Sequence, residues 1–264
     1  MIKHLILSIL LGSLISPCLA DTSWQKNLSK APAGPFKKKK KSKLYYTLTW
    51  KGSIKAGETV VAFEKNNGKS SPVKVECSGY TSGLARKVFP YDFFLKSKYN
   101  GNTLAPIQYE IWEQNKDEAK QLYGKFRGNT VKVSEIVTPN DTKTPVKSTE
   151  TFSYPRLFDI YSSILYVGSQ PLNNGDDINM LLFPFDKPYL ARLKVLGREK
   201  HLGHDCIKLD LKLNKVKSDL TLKNYEKFKK AELWITDNSD RIMVELRSEI
   251  FIGDVRTTLV KTEW

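Results

Sequence analysis

The stretch Cys206-Ile-Lys-Leu-Asp-Leu-Lys-Leu213 alternates apolar and charged side chains without a break. Successive side chains of an extended backbone point to opposite faces, so this pattern makes a strand with one dry and one wet face. The same period of two returns at 45–50, where Tyr46, Leu48 and Trp50 share a face, and at 107–113, where Ile107, Tyr109 and Ile111 do. Further strands are read at 54–63, 73–80, 93–99, 121–126, 130–137, 179–185, 189–196, 231–236, 241–252 and 255–262. Turn chemistry separates them: Asn66-Asn67-Gly68, Asn100-Gly101, Gly128-Asn129, Asp237 to Asp240, and Gly253-Asp254. Asn, Asp and Gly accept the backbone conformations that tight hairpins need. Gly57 interrupts its strand and points to a bulge or a close backbone approach.

One segment changes period. Over 155–167, Leu157, Ile160, Tyr161, Ile164 and Leu165 fall at i, i+3, i+4, i+7 and i+8, a single apolar helical stripe. Pro155 suits a first turn, and Gly168 and Pro171 end the segment. A shorter helix is expected over 81–88, capped by Ser82. The polar stretch 138–153, with Pro139 and Pro145, reads as a long loop, functional or disordered, and 214–228 as a lysine-rich connection.

Ten or more sequential strands with tight turns and one mid-chain helix predict a mainly β fold. The expected architecture is a curved antiparallel up-and-down sheet, a half-barrel, with one principal covering helix. Each strand pair twists by about 20°, so a sheet of this size curls and acquires a concave side. A helix over that concavity makes a pocket. The candidate ligand contacts are therefore the stripe Leu157, Ile160, Tyr161, Ile164 and Leu165 and the strand face Tyr46, Leu48 and Trp50. Such a stripe is more often ordinary core than a ligand lid.

The start of the chain has its own logic. Lys3 and His4 precede the apolar run 5–15, and Ser16-Pro-Cys-Leu-Ala20 follows. That is a secretory signal peptide with cleavage expected after Ala20. The run is shorter than the roughly 20 apolar residues of a spanning helix. Cys18 raises lipidation as an alternative, which Pro17 disfavours. A periplasmic location is expected. Removal of residues 1–20 takes away only Lys3, leaving 42 basic against 28 acidic residues, a balance of +14. Part of that charge is concentrated in Lys37, Lys38, Lys39, Lys40, Lys41 and Lys43. Such runs commonly meet nucleic acid, but export points instead to an anionic envelope surface. The competing reading is a solvated tail. Residues 21–43, with the breaker run Ala31-Pro-Ala-Gly-Pro35, are read as a disordered basic tail, and 44–264 as a single antiparallel β domain.

Little in the sequence speaks for catalysis. No Gly-x-Ser-x-Gly elbow or phosphate-binding glycine loop occurs, and Ser162-Ser163 has no evident base. His201-Leu-Gly-His204-Asp205-Cys206 is a cluster of metal-competent side chains, with His204 and Cys206 the candidates for one face. The plainer reading of this cluster is a hairpin turn at Gly203. Asp176-Asp177 falls short of the oxygen set calcium prefers. No cofactor is expected. Cys77 and Cys206 survive cleavage; a disulfide and two buried thiols are both open.

Five segments, in order, resemble the DUF3108 family, exported bacterial envelope proteins of undefined biochemical role. They are Ile54-Lys-Ala-Gly-Glu-Thr59, Tyr99-Asn-Gly-Asn-Thr-Leu-Ala-Pro106, Phe158-Asp-Ile-Tyr-Ser-Ser-Ile-Leu-Tyr166, Pro171-Leu-Asn-Asn-Gly-Asp176, and Leu233-Trp-Ile-Thr-Asp237 with Arg241-Ile-Met-Val-Glu245. The resemblance covers nearly all of 44–264; Met243 stands where the family often has proline. It implies a half-barrel similar to that of periplasmic lipoprotein carriers, with a lipid-binding concavity under the helix. It transfers no catalytic or ligand residue. The function expected is a periplasmic, non-enzymatic binding protein for a lipid or other apolar envelope ligand. The alternatives are a structural or assembly factor contacting a protein or glycan and, more weakly, an envelope-polymer hydrolase. Oligomeric state is not legible.

Overall fold

Alternation alone does not order strands; hairpin connections do, because each tight turn returns the chain beside the strand it has just left. The computed structural model describes residues 23–184, 187–225, 228–250 and 253–264, with backbone only at 228–230 and 250. The signal-peptide and Cys18 readings lie outside these residues. In chain order the strands are β1 (Ser42–Trp50), β2 (Ile54–Phe63), β3 (Pro72–Thr81), β4 (Tyr91–Asn100), β5 (Pro106–Asn115), β6 (Glu118–Arg127), β7 (Thr130–Pro139) and β8 (Val146–Ser153). They continue as β9 (Leu157–Phe158), β10 (Asp177–Leu182), β11 (Tyr189–His201), β12 (His204–Val216), β13 (Leu222–Asn224), β14 (Phe228–Thr236), β15 (Met243–Ile250) and β16 (Gly253–Glu263). Helix α1 (Gly83–Val88) lies between β3 and β4, and α2 (Ile160–Ser169) between β9 and β10.

All sixteen strands belong to one open, curved sheet. Two meanders meet at the chain's ends: β1 pairs with β2 on one side and with β16 on the other, both antiparallel. From there the order runs outward to β8 in one direction and to β9 in the other, with β13 paired beside β12. One pair departs from the antiparallel expectation. β9 runs parallel to β10 over two residues, a short crossover whose connecting segment contains α2.

The helix begins later than its apolar stripe suggests. Arg156 takes a left-handed backbone conformation (φ 58°), and Leu157 and Phe158 are extended in β9. The start is decided by Asp159. Its carboxylate accepts from Ser162 N at 2.8 Å while Ser162 Oγ accepts from Asp159 N at 2.9 Å, a reciprocal capping box. The second carboxylate oxygen accepts from Ser97 Oγ at 2.7 Å, tying the helix start to β4. Burial raises the Asp159 pKa, against the hydrogen bonds that lower it. At α1, Ser82 occupies the cap position but its side chain makes no capping bond.

Residues 23–43 are a further correction. They pack on the domain rather than forming a free tail. Trp24 (4% exposed) and Leu28 (8%) join the core, and Trp24 Nε1 donates to Leu220 O at 3.0 Å. Tyr166 Oη and the Arg156 guanidinium both donate to Ala31 O, and Lys39 pairs through its backbone with Asn66. The Pro and Gly of this belt forbid regular ladders but leave carbonyls free to accept side-chain donors. The polar stretch expected as a loop over 138–153 is largely β-structure. β7 runs to Pro139, and β8 is exposed at seven of its eight residues. An edge strand covered on neither face shows no alternation, so its sequence looks like a loop although its backbone pairs with β7.

Turn chemistry is mostly as expected. Leu202-Gly203 and Gly128-Asn129 close two-residue hairpins. Asn100-Gly101 opens a longer connection, in which Asn100 Oδ1 accepts from the backbone of Asn102 and Thr103 and Leu104 takes φ 60°. Gly253 and Asp254, expected to turn, instead open β16, paired with Ile250 and Glu249 of β15. Gly57 sits at a bulge: Leu48 faces Gly57 while Thr49 faces Lys55, and a Cβ there would lie 2.5 Å from Tyr80 O.

Beside a small buried cluster of Cys206, Trp234 and Val244, two large ones form the core. One is built on β1–β7 (Leu44, Val61, Leu95, Ile111, Leu122 and Val133 among others) and the other on β10–β12 and β14 (Met180, Leu193, Ile207, Leu209, Ile235). α2 joins them, giving Tyr161 and Leu165 to the first and Tyr166 and Val167 to the second. At about 1.5–3 kcal/mol per fully buried large side chain, this helix is held by packing rather than by propensity.

Candidate functional site: an apolar cavity under α2

Register builds the site. Leu44, Val61, Cys77, Leu95 and Ile111 face one another in turn across β1 to β5, forming one apolar level of the sheet. One level along, Tyr46 faces Thr59, Thr59 faces Gly79, Gly79 faces Phe93 and Phe93 faces Glu113. Gly79 leaves the space that the Phe93 ring occupies; a Cβ at Gly79 would lie 2.5 Å from that ring. Above these levels α2 places Ile160, Tyr161, Ile164 and Leu165. Between helix and sheet lies a cavity of about 390 Å³, lined mainly by apolar side chains. That volume is within the range of small-molecule pockets. Ile164 remains 44% exposed although it lies on the cavity side of the helix.

Six of the eight expected contact residues line this cavity: Tyr46, Leu48, Ile160, Tyr161, Ile164 and Leu165. Leu157 and Trp50 do not. Leu157 is buried in β9, before the helix begins, and Trp50 closes β1 with Lys51 Nζ 5.1 Å from its ring centroid.

The few polar groups inside are turned to one another. Tyr46 Oη donates to Met243 O at 3.1 Å, and Thr59 Oγ1 lies 3.2 Å from Cys77 Sγ. Burial raises the pKa values of Tyr46, Tyr161 and Cys77, so all three stay neutral at ordinary pH. A wall of apolar and neutral, internally satisfied groups favours an apolar occupant over a highly hydrated one.

The charged lining residues lie at two places. At one end Lys39 Nζ donates to Asp240 O at 2.5 Å and Lys40 sits 3.6 Å from the Asp240 carboxylate, with its ammonium 4.9 Å from the Trp264 ring centroid. Arg241, only 9% exposed, pairs with Asp237 at 2.7 Å and lies over the Phe36 ring at 4.4 Å. Its Nε has no hydrogen-bond partner among the described residues. Desolvation lowers the Lys39 pKa to about 8, opposed by the Asp240 charge and reinforced by Arg241. Toward the other strand ends, Glu113 accepts a hydrogen bond from Tyr91 Oη, whose pKa is raised by burial and by that carboxylate.

The lysine run divides. Lys37 Nζ donates to Asn102 Oδ1 at 2.6 Å, Lys39 and Lys40 turn to the cavity, and Lys38 lies near Gly68. Lys41 and Lys43 line a shallow outer groove, and Lys43 Nζ is 5.3 Å from the Tyr45 ring centroid. His204 and Cys206 start β12, with His204 exposed and Cys206 buried; His201 instead stacks on Trp234 at 4.2 Å. No group of three potential metal ligands occurs among the described residues. Cys77 and Cys206 are separate buried thiols. Asp240, Arg241 and Phe93 went unremarked as site residues in the sequence, because a turn and a neighbouring strand carry no local sign of the cavity that tertiary folding brings to them.

A family model described as "Protein of unknown function (DUF3108)" matches residues 45–260. The chain belongs to the DUF3108 family. The match spans the sheet from β1 to β16, including every sheet and helix residue that lines the cavity except those at the two ends of the chain. No curated protein matches the chain. Among solved structures, a β-barrel-like DUF1849 protein from Brucella abortus is similar with a TM-score of 0.54 at 9% identity, covering 84% of this chain and 97% of that one. This likeness shows a shared fold alone. A Bacteroides fragilis protein of YmcC-like fold aligns over 89% of this chain and all of its own, at 11% identity and a TM-score of 0.34.

Proposed function

We propose that the protein is a non-enzymatic binding protein of the bacterial envelope that holds a lipid or other apolar ligand between the curved sheet and α2. The observation that carries this reading is the cavity itself. A folded chain gains by filling apolar space, since voids forfeit contacts with every lining atom. Here about 390 Å³ stays open under a helix that leaves Ile164 accessible. The leader read from residues 1–20 would set the protein in the periplasm, and the exposed Lys38, Lys41 and Lys43 are the candidates to meet an anionic membrane face, with Glu64, Glu76 and Glu263 beside Lys41 and Lys43. The test is binding of an apolar fluorescent probe to protein freed of co-purified lipid. Ile164→Glu should abolish it, whereas Leu84→Glu, on the exposed α1, should leave it intact. Wild-type protein that neither co-purifies with lipid in native mass spectrometry nor takes up the probe would refute the reading.

A second reading, an assembly factor that contacts a protein or glycan, is favoured by a different feature. Phe94, Trp112 and Tyr123 on adjacent strands are each more than a third exposed and line one groove. Loss of partner capture on Trp112→Ala, with probe binding unchanged, would favour this role.

A further inference from the structure

Resting on the binding reading above, we propose that the cavity takes a single-chain anionic amphiphile, with a carboxylate or phosphate head among Lys39, Lys40 and Arg241 and the chain along the apolar levels toward Leu48. Three observations support it. First, the cavity is polarised: its basic residues gather where the chain enters β1, and Glu113 stands toward the other strand ends. An acidic head is drawn to the first place and repelled from the second. Glu113 stands level with Tyr46, about 13 Å along the strands from Ser42 at about 3.3 Å per residue and about 19 Å across four strand spacings of about 4.8 Å, so the two places are separated by the reach of an extended chain.

Second, the basic end is not neutralised from within. Lys39 donates to the backbone carbonyl of Asp240, not to its carboxylate, which pairs with Lys40. Asp237 is shared between Arg198 and Arg241. Counting Lys39, Lys40, Arg198 and Arg241 against Asp237 and Asp240 leaves an excess of two positive charges. Third, the nine-tenths-buried Arg241 lines the cavity and is fixed there by Asp237 and the Phe36 ring, so its charge stands at a set place at this end. A fixed cation in a site largely walled from water attracts an anionic head more strongly than a solvated one does. The depressed Lys39 pKa agrees with a cation waiting for a counter-charge.

The experiment compares ligands sharing a dodecyl chain, by calorimetry on lipid-free full-length mature protein below their micellar concentrations. Dodecanoate and dodecyl phosphate should bind at least tenfold more tightly than dodecanol, a gap of 1.4 kcal/mol, and dodecyltrimethylammonium more weakly than dodecanol. Whichever anion binds better identifies the head. Lys39→Gln/Lys40→Gln should bring the anion-to-alcohol ratio close to one, with circular dichroism and the urea midpoint showing that the variant is folded; a ratio still near tenfold in that folded variant would overturn the head-group assignment. Equal affinity for dodecanol and the anions in wild-type protein would overturn the head-group assignment and leave the cavity reading standing. Failure of every dodecyl compound to bind would overturn both. Inorganic phosphate binding as tightly as dodecyl phosphate would make this a free-anion site and overturn the amphiphile.

Discussion

Lys39 offers a test of the site that needs no ligand. Its pKa falls from 10.5 to about 8, chiefly through desolvation, with Asp240 opposing the change and Arg241 adding to it; Lys40 lies alongside. A lysine whose folded pKa lies below its unfolded value binds its proton more weakly in the native state. Between about pH 8 and 10.5 the unfolded chain therefore holds more protons, and this residue makes stability rise with pH across that window. Below pH 8 the native state bears the full cost, about 3 kcal/mol at 1.36 kcal/mol per unit. Lys39→Met removes that cost and gives up the hydrogen bond to Asp240 O, worth about 1 kcal/mol. The variant should thus be about 2 kcal/mol more stable than wild type at pH 7, a rise in urea midpoint on the order of 1 M. The advantage should shrink steadily from pH 8 to 10.5. Urea unfolding of both proteins, taken as a difference at each pH, cancels the tyrosines that titrate in the same range. A difference that is flat with pH, or a less stable variant at pH 7, would show that the Lys39 ammonium is well solvated and would remove the reasoning about this end of the cavity.

Three other outcomes are expected. Asp159→Ala should cost about 2–4 kcal/mol, since it removes a helix cap and leaves Ser97 and Ser162 without their acceptor; Asp159→Asn should cost less because it keeps an acceptor. Equal loss for the two variants by chemical denaturation would count against the capping box. Gly79→Ala should lower stability by roughly 1–3 kcal/mol and weaken probe uptake, because the new methyl drives the Phe93 ring into the cavity; unchanged uptake would place the ring elsewhere. Cys77 and Cys206 should titrate as two thiols in denaturant and react slowly with a disulfide reagent in native protein, with bound ligand slowing Cys77 further; a bridged form by mass would contradict the separate thiols.

The pattern of period two in Leu209, Leu211 and Leu213, or in Tyr46, Leu48 and Trp50, is local, and it was enough to establish a mainly antiparallel β protein with its hairpins in chain order. The stripe Ile160, Tyr161, Ile164 and Leu165 likewise named the helix face that turns inward. Other features were hidden for identifiable reasons. β8 carries no alternation because neither of its faces is covered. The helix start was misjudged because Pro155 is a weaker instruction than a carboxylate able to cap and to reach β4 at once. Residues 23–43 look like a solvated tail because their anchors, Trp24 and Leu28, are only two among many polar neighbours.

Where a strand alternates, periodicity settles which of its sides is dry, since that depends on near neighbours along the backbone. It does not settle what closes the dry side. The pairing of β1 with β16, the belt that brings Lys39 to Asp240, and the space left beside Ile164 all join residues far apart in the chain. Such contacts depend on loop closure and on the volume of whole side chains, quantities that no single segment contains. The sheet was written in its strands, whereas the cavity exists only where folded surfaces fail to meet.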